Sequence, residues 1–238
     1  MKEVELSTIE AYLTLIKQSK DEHSQQGYSI DFLFRGQTFD HPLLPKICRL
    51  KAKGDILQVE QTLLQEFKRT NPLLIEPHRP MDDWDYLTLG QHFTLPTRLL
   101  DWSNNALTAL WFATGESLGA SSYSVVWILM AQEEDFAANL ETMHPFEVPQ
   151  TKLVRPRIIK QRINNQSGVF SVASSQELLT KQYMNEIDSY TEKLIKVKIP
   201  STCLKQIRTD LDTLGVNAFS IFPELEGLCT YLQWRYFE

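Results

Sequence analysis

The segment 91–105, Gln-His-Phe-Thr-Leu-Pro-Thr-Arg-Leu-Leu-Asp-Trp-Ser-Asn-Asn, constrains the fold of this chain more than any other feature. A solvated loop needs no Leu-Leu pair and no Trp at its centre. An ordinary core segment carries no Arg and Asp, because a buried charge is costly unless it is paired. The segment therefore predicts polar groups held in place by a packed frame, which is how functional sites are built.

Composition places the chain among globular proteins and excludes several functional classes. Its 238 residues are 42% hydrophobic and 23% charged, which is enough for one domain with a substantial core. A net charge of -6 argues against a protein that coats nucleic acid through its overall field. Cys48, Cys203 and Cys229 lack metal-ligand spacing, so we expect reduced thiols and no metal site. Without an apolar run of about 20 residues or a signal-peptide pattern, we expect a cytoplasmic protein with no membrane partner.

Apolar periodicity predicts both helices and strands, with no internal repeat and no clear linker. Helices are predicted from a Ser7–Glu10 capping box to Lys20, over 55–69, over 104–117 (capped by Ser103 or Asp101), over 201–214, and from Pro223 onward. Strands are predicted over 32–36, 125–129, 169–172 and 194–199, and residues 133–156 are predicted to be irregular. This pattern indicates a single α+β domain over 1–238, in which a mixed sheet has flanking helices. The first helix belongs to residues 1–24 and the core to residues 25–238.

Four motifs occur in order along the chain and together resemble one family. They are Phe34-Arg35-Gly36-Gln37, the stretch 91–102, the stretch from Gln166 to Phe170, and Phe222-Pro223-Glu224-Leu225-Glu226-Gly227. In this combination the chain resembles the FRG domain family over about residues 25 to 235. It carries Phe93-Thr94 where the family often has Gly. The family occurs in bacterial and phage-defence settings, so the resemblance implies a bacterial toxin or a phage-defence effector.

Arg35 and Gly36 form the first candidate site. A strand that ends in Arg-Gly places a guanidinium at the edge of a sheet, where glycine lets a ligand approach the backbone. Arginine suits phosphate because its planar fork donates two parallel hydrogen bonds. The competing interpretation is an ordinary ion pair between Arg35 and an acidic neighbour such as Asp31.

Glu224 and Glu226 form the second candidate site. Cleavage of an N-glycosidic bond builds positive charge on the sugar, so a fixed carboxylate nearby stabilises the transition state. Acidic residues that follow a proline at the start of a helix are also favoured by the helix dipole alone, with no function needed. On residue type alone this second interpretation is the stronger.

The order of these candidates is similar to that of the Arg-Ser-Glu class of ADP-ribosyltransferases. That similarity implies a fold of the ADP-ribosyltransferase type and NAD as the substrate, with ADP-ribose transferred to a macromolecular acceptor, or with NAD hydrolysed. By the same similarity, Arg35 holds NAD, Glu224 or Glu226 stabilises the ribosyl cation, and Gln166 stands where that class has its serine strand.

The central motif supplies the remaining candidates. His92 could move a proton or bind a ribose hydroxyl, or it could be a residue of the core. Arg98 and Asp101 are three positions apart and are predicted to pair with each other as scaffold. With His92 as a further catalytic candidate, the predicted cofactor contacts are Arg35, Gly36, Gln37, Gln91, Thr97, Arg98, Gln166 and Phe170.

A basic cluster supports a different function. Five lysines and arginines lie between residues 152 and 162: Lys152, Arg155, Arg157, Lys160 and Arg162. Such a cluster could guide a polyanion, although most are solvated surface. The alternative to an NAD-using enzyme is therefore a non-catalytic module that binds a nucleotide or nucleic acid as a sensor. A third possibility is a scaffold whose motifs are purely structural.

Overall fold

The computed structural model describes residues 1–24, 30–70, 80–115, 122–157 and 168–237. It confirms the predicted fold class, because these residues form one seven-stranded mixed sheet with flanking helices. The strands are β1 (Lys2–Glu5), β2 (Asp31–Gln37), β3 (Leu99–Ser103), β4 (Tyr123–Ala131), β5 (Lys152–Val154), β6 (Gly168–Val172) and β7 (Leu194–Pro200). Their spatial order is β1-β7-β4-β2-β3-β6-β5, and every neighbouring pair is antiparallel except β1 with β7.

Ten α-helical segments surround the sheet in the described residues. They are α1 (Ile9–Ser24), α2 (Lys46–Arg49), α3 (Ile56–Thr70), α4 (Asp83–His92), α5 (Ala106–Ala113), α6 (Ser175–Thr180), α7 (Asp188–Thr191), α8 (Leu204–Thr213), α9 (Ala218–Ile221) and α10 (Leu225–Phe237). Short 3-10 turns occupy Glu133–Asp135, Met184–Glu186 and Ser201–Cys203.

The sheet has a seam between β2 and β3. Strand β2 pairs with β4 along its whole length, and β3 pairs with β6 along its whole length. Between β2 and β3, however, the register contains the single pair Phe34 and Ser103. The sheet therefore consists of a four-stranded part (β1, β7, β4, β2) and a three-stranded part (β3, β6, β5) that meet at one residue pair.

The hydrophobic core reflects this division on one face only. Helices α1, α5 and α8 cover the four-stranded part on that face, whereas α3 and α4 cover the three-stranded part. On the other face a single cluster crosses the seam, joining Leu33 and Trp127 of one part to Leu100 and Trp102 of the other. The first face consequently has a gap above the seam, between α5 and the end of α4.

Gly36 is required by the packing of α5 against β2. A Cβ atom at this position would lie 1.8 Å from the carbonyl oxygen of Ala109 and 2.7 Å from the backbone nitrogen of Ala113. The helix backbone thus occupies the space that a side chain would need. Packing of the helix thus accounts for glycine at this position, and the expectation that Gly36 leaves its backbone open to a ligand stays a prediction.

Several predicted helix starts are shifted by a few residues, each for a local reason. Thr8, rather than Ser7, caps α1, because its hydroxyl oxygen accepts a hydrogen bond from the Ala11 backbone nitrogen (3.2 Å). Asn105, rather than Ser103 or Asp101, caps α5 by accepting from the Leu107 and Thr108 nitrogens. The last helix begins at Leu225, two residues after Pro223.

A buried ion pair ties the three-stranded part to its helices. The guanidinium of Arg98 binds the carboxylate of Glu60 on α3 (Nη2 to Oε2, 2.5 Å), and the two side chains are only 1% and 2% exposed. Arg98 also donates to the carbonyl oxygen of Ala173 (3.2 Å) and lies over the ring of Phe146. The predicted pair of Arg98 with Asp101 is therefore wrong, although the interpretation of Arg98 as scaffold holds.

Substitution Glu60→Gln should lower the free energy of unfolding by about 3–5 kcal/mol, because it leaves the buried Arg98 charge uncompensated. Urea unfolding at pH 7 measures this effect. The matched control is Glu66→Gln on the same helix, which removes an exposed pair with Arg69 and should leave the unfolding midpoint unchanged. Equal effects of the two substitutions would contradict the role given to Glu60.

Candidate functional site

The gap above the seam is a cavity of about 300 Å³. Its wall combines strand ends, the ends of two helices and a ring from the loop before α10. The lining residues are Phe34, Arg35, Gly36, Gln91, His92, Thr94, Asp101, Trp102, Ser103, Ala109, Phe112, Gly168, Phe170 and Phe222. All four sequence motifs thus contribute at least one residue to the same cavity.

Arg35 spans the seam. Its Nη1 donates to the carbonyl oxygen of Asp101 on β3 (2.8 Å) and lies 3.6 Å from the Asp101 carboxylate oxygen Oδ2. The side chain is 15% exposed, and its Nε is the one buried side-chain nitrogen or oxygen in the described residues without a hydrogen-bond partner. Burial lowers the pKa of the guanidinium, and the Asp101 carboxylate opposes that shift. Asp31 forms its ion pair with Arg155, so the acidic neighbour of Arg35 is Asp101 and not Asp31. The interpretation of Arg35 as a member of an ion pair therefore holds with a different partner.

A chain of hydrogen bonds fixes the polar wall. The hydroxyl of Thr97, a residue only 1% exposed, donates to Oε1 of Gln91 (2.6 Å). Nε2 of Gln91 then donates to Oδ2 of Asp101 (2.8 Å), which faces Arg35. Thr97 accepts in turn from the backbone nitrogen of Leu99 (3.1 Å). The Thr97 hydroxyl accepts from Leu99 and donates to Gln91, so the Gln91 amide oxygen faces Thr97 and its Nε2 faces Asp101.

Helix α4 ends inside the central motif, in a turn of defined geometry. The Leu95 nitrogen donates to the Gly90 carbonyl oxygen (2.9 Å) and the Thr94 nitrogen to that of Gln91 (3.0 Å), which is a Schellman motif. Thr94 occupies the left-handed position of this motif with φ at 66°. Glycine usually fills that position, and a β-branched residue there is strained. The ammonium of Lys46 donates to the Thr94 carbonyl oxygen (2.6 Å) and helps to hold the turn.

Aromatic rings form the apolar wall. The rings of Phe112, Phe170 and Phe222 line the cavity. Trp102 also borders it, although its ring packs in the buried cluster on the other face of the sheet. The Phe222 ring lies edge-on to Phe112 (centroids 6.0 Å apart), and the Trp102 indole is anchored by a hydrogen bond from Nε1 to the Ser171 hydroxyl oxygen (3.1 Å). A planar apolar group could therefore pack against rings on one side while polar groups meet Gln91 and Asp101 on the other.

The last motif positions Phe222 rather than its two glutamates. A Cβ at Gly227 would lie 1.9 Å from the Phe222 carbonyl oxygen, so only glycine allows α10 to pack so closely on this residue. Glu224 and Glu226 are exposed and are not among the residues that line the cavity. The structure therefore does not bring the two carboxylates together with Arg35 in one cleft.

The other predicted site residues are divided between the cavity and the surrounding scaffold. His92 lies at the cavity, with its ring edge-on to Phe93 (5.1 Å), and Phe170 lies there as well. Gln37 instead accepts a hydrogen bond from Trp127 Nε1 (2.9 Å), and Arg98 is occupied by Glu60, so neither lines the cavity. Gln166 lies outside the described residues.

Two members of the basic cluster form ion pairs with carboxylates of the same chain. Arg155 pairs with Asp31, and Arg157 lies within ion-pair distance of Asp82 (3.2 Å). Lys152 donates to the Glu134 carbonyl oxygen (2.6 Å). Lys160 and Arg162 lie outside the described residues.

Five of the fourteen lining residues were predicted as site residues from the sequence: Arg35, Gly36, Gln91, His92 and Phe170. Sequence reasoning missed eight others, Phe112 and Ser103 among them, and misassigned Asp101. Phe112 and Ser103 had no signal beyond helical periodicity and a position beside the motif. Asp101 was assigned to scaffold, although its place between the buried residues Leu100 and Trp102 shows that it points to the opposite face of β3. Across the described ranges no group of His, Cys, Asp or Glu could hold a metal ion, and no helix is long and apolar enough to cross a membrane.

Comparison with known proteins gives one match. The model of the FRG domain family matches residues 30–121, a region that contains β2, α4, β3 and α5. The match thus covers the strands on both sides of the seam and the two helices that enclose the cavity. No curated protein and no solved structure matches the chain.

Replacing Thr94 by glycine should raise the free energy of unfolding by about 1 kcal/mol, because the left-handed strain of about 1–2 kcal/mol exceeds the added entropy of the unfolded chain. Thermal or urea unfolding measures the change. Lys181→Gly is the matched control, since Lys181 ends α6 with φ at 53° and lies outside the cavity wall. Destabilisation by Thr94→Gly alone would indicate that the Thr94 side chain makes a stabilising contact at the cavity.

Proposed function

We propose that this chain, which contains an FRG domain over residues 30–121, binds NAD at the cavity around Arg35 and releases nicotinamide from it. The ADP-ribose would pass to a macromolecular acceptor or to water, so the activity would be that of an ADP-ribosyltransferase or an NAD hydrolase. A role as a bacterial toxin or a phage-defence effector would follow from such an activity.

The observation that carries this proposal is the convergence of Arg35, Gln91 and His92 with aromatic rings around one cavity. A volume of about 300 Å³ is at the lower end of ligand sites. It would enclose one nucleoside half of NAD, with the other half at the rim. The rings would pack against the base, and the Arg35 guanidinium would donate to a phosphate or ribose oxygen.

The reaction would depend on stabilising positive charge on the ribose, and it would not need a strong acid to protonate the leaving nicotinamide. The glycosidic bond between ribose and nicotinamide breaks, and its electron pair leaves with the nicotinamide, which is then neutral. The ribosyl cation takes an electron pair from an acceptor oxygen, which loses its proton. His92 lies at the cavity, where its imidazole would serve as the general base that accepts this proton.

The sensor hypothesis has weaker support. Affinity for nucleic acid requires lysines and arginines that meet phosphates and release counterions. Arg155 and Arg157 are already paired with carboxylates of the same chain. Exposed ion pairs of this kind contribute little free energy, so phosphates could replace the carboxylates. The cavity is also small and enclosed by rings, which fits a base and a sugar better than a continuous strand.

Purified protein incubated with NAD should release nicotinamide, and Arg35→Ala should weaken NAD binding by about 10- to 100-fold, since a hydrogen bond from a charged donor contributes about 1.5–3 kcal/mol. Calorimetry measures binding, and chromatography measures nicotinamide. Arg155→Ala is the control, because it removes an exposed guanidinium outside the cavity wall.

Absence of both NAD binding and nicotinamide release, with candidate protein and nucleic-acid acceptors present, would overturn the enzyme proposal. Binding of nucleic acid that weakens with salt and depends on Arg155 and Arg157, but not on Arg35, would favour the sensor instead.

A further inference from the structure

We infer that Asp101, rather than Glu224 or Glu226, is the carboxylate that faces the sugar of the bound nucleotide, and that Gln91 and Thr97 are its positioning residues. This inference rests on the proposed function for the identity of the ligand. The assignment of the acid itself rests on the geometry of the cavity.

The placement of Asp101 follows from its strand. Leu100 and Trp102 are buried in the cluster on the other face of the sheet, so the Asp101 side chain points to the cavity face. Its side chain is 59% exposed, which is the accessibility that a ligand requires. Among the described residues that line the cavity, Asp101 is the acidic one.

The two carboxylate oxygens of Asp101 have different environments. Oδ2 accepts from Gln91 Nε2 at 2.8 Å and lies 3.6 Å from Arg35 Nη1. Within the described part of the chain no hydrogen bond reaches Oδ1, so this oxygen is available to a hydroxyl of the ligand. An ionised carboxylate accepts such a bond strongly and also favours positive charge on the sugar as nicotinamide leaves.

Gln91 and Thr97 hold this carboxylate in one orientation. A glutamine amide can rotate, but the Thr97 hydroxyl donates to Oε1 and so directs Nε2 toward Asp101. Thr97 is buried and lies outside the cavity wall, so it acts through Gln91 and not by touching the ligand. An acid held in place before binding costs little reorganisation during the reaction.

The step that Asp101 assists is the loss of nicotinamide already described. The C–N bond breaks, nicotinamide takes the electron pair, and the Asp101 carboxylate stays ionised while it stabilises the sugar cation. No oxidant or reductant enters this step. The acceptor hydroxyl or water that then attacks the sugar cation supplies the electron pair of the new C–O bond and loses its proton.

The experiment uses the full chain and compares Asp101→Asn with Glu226→Gln and Glu224→Gln. Binding of NAD and of ADP-ribose is followed by calorimetry, and nicotinamide release is followed at saturating NAD. Asp101→Asn should lower kcat by about 100- to 1000-fold, as removal of a group that stabilises transition-state charge does. The two glutamate variants should stay within about threefold of the wild type, a change in free energy below ~0.7 kcal/mol. Asp188→Asn, an exposed position at the start of α7, is the surface control.

The positioning residues are tested with a pair of variants at Thr97. Thr97→Val removes the hydroxyl at nearly constant volume and should lower kcat by about tenfold with little change in KM. Thr97→Ser keeps the hydroxyl and should restore kcat. A loss of stability alone would reduce the amount of active protein, and it would not separate kcat from KM in this way.

Each outcome decides the inference. It is overturned if Asp101→Asn binds and turns over NAD like the wild type, if Glu224→Gln or Glu226→Gln instead abolishes turnover, or if no nucleotide binds. The last result also overturns the proposed function. If ADP-ribose binds in an Asp101-dependent way and nicotinamide is never released, the enzyme proposal fails while Asp101 remains the acid that binds the sugar.

Discussion

The seam between β2 and β3 is the constraint on which the rest of this structure depends. Because Phe34 and Ser103 form the one register pair there, the strands diverge, and the groups exposed by that divergence need other partners. The Arg35 guanidinium is one such partner, because it donates a hydrogen bond to the Asp101 carbonyl oxygen. Helix α5 lies against β2 beside the opening, with its backbone so close that Gly36 is obligatory. The cavity is what remains between these elements and the end of α4.

Arg98 and Arg35 both lie in the region that matches the family model, and they differ in burial and in role. Arg98 is fully buried and its charge is balanced by Glu60 on α3, so it stabilises the packing of that helix on the three-stranded part of the sheet. Arg35 keeps 15% of its side chain exposed and retains an unpartnered nitrogen at the edge of the cavity. A buried polar atom without a partner costs about 1–3 kcal/mol, so its presence beside an opening is typical of a functional position.

The sequence predicted the mixed sheet, most of its strands and the importance of the central motif, because alternation and helical periodicity are local signals. It could not predict the partners of Arg98 and Asp101, since Glu60 and Arg35 are distant in sequence and meet only after the sheet forms. The late glutamates misled for a related reason. The order of the motifs suggested chemistry at these residues, whereas Phe222 and Gly227 carry the packing, and no periodicity reveals a backbone contact of that kind.

The division of the sheet has a consequence for how the molecule opens. Parts of a protein joined by few backbone hydrogen bonds can separate at a lower free energy than the whole molecule unfolds, as individual foldons. On one face a continuous apolar layer resists such separation, while on the other the helices stand apart. A molecule seated above the seam would contact both foldons at once and, by mass action, would couple them into a single cooperative unit.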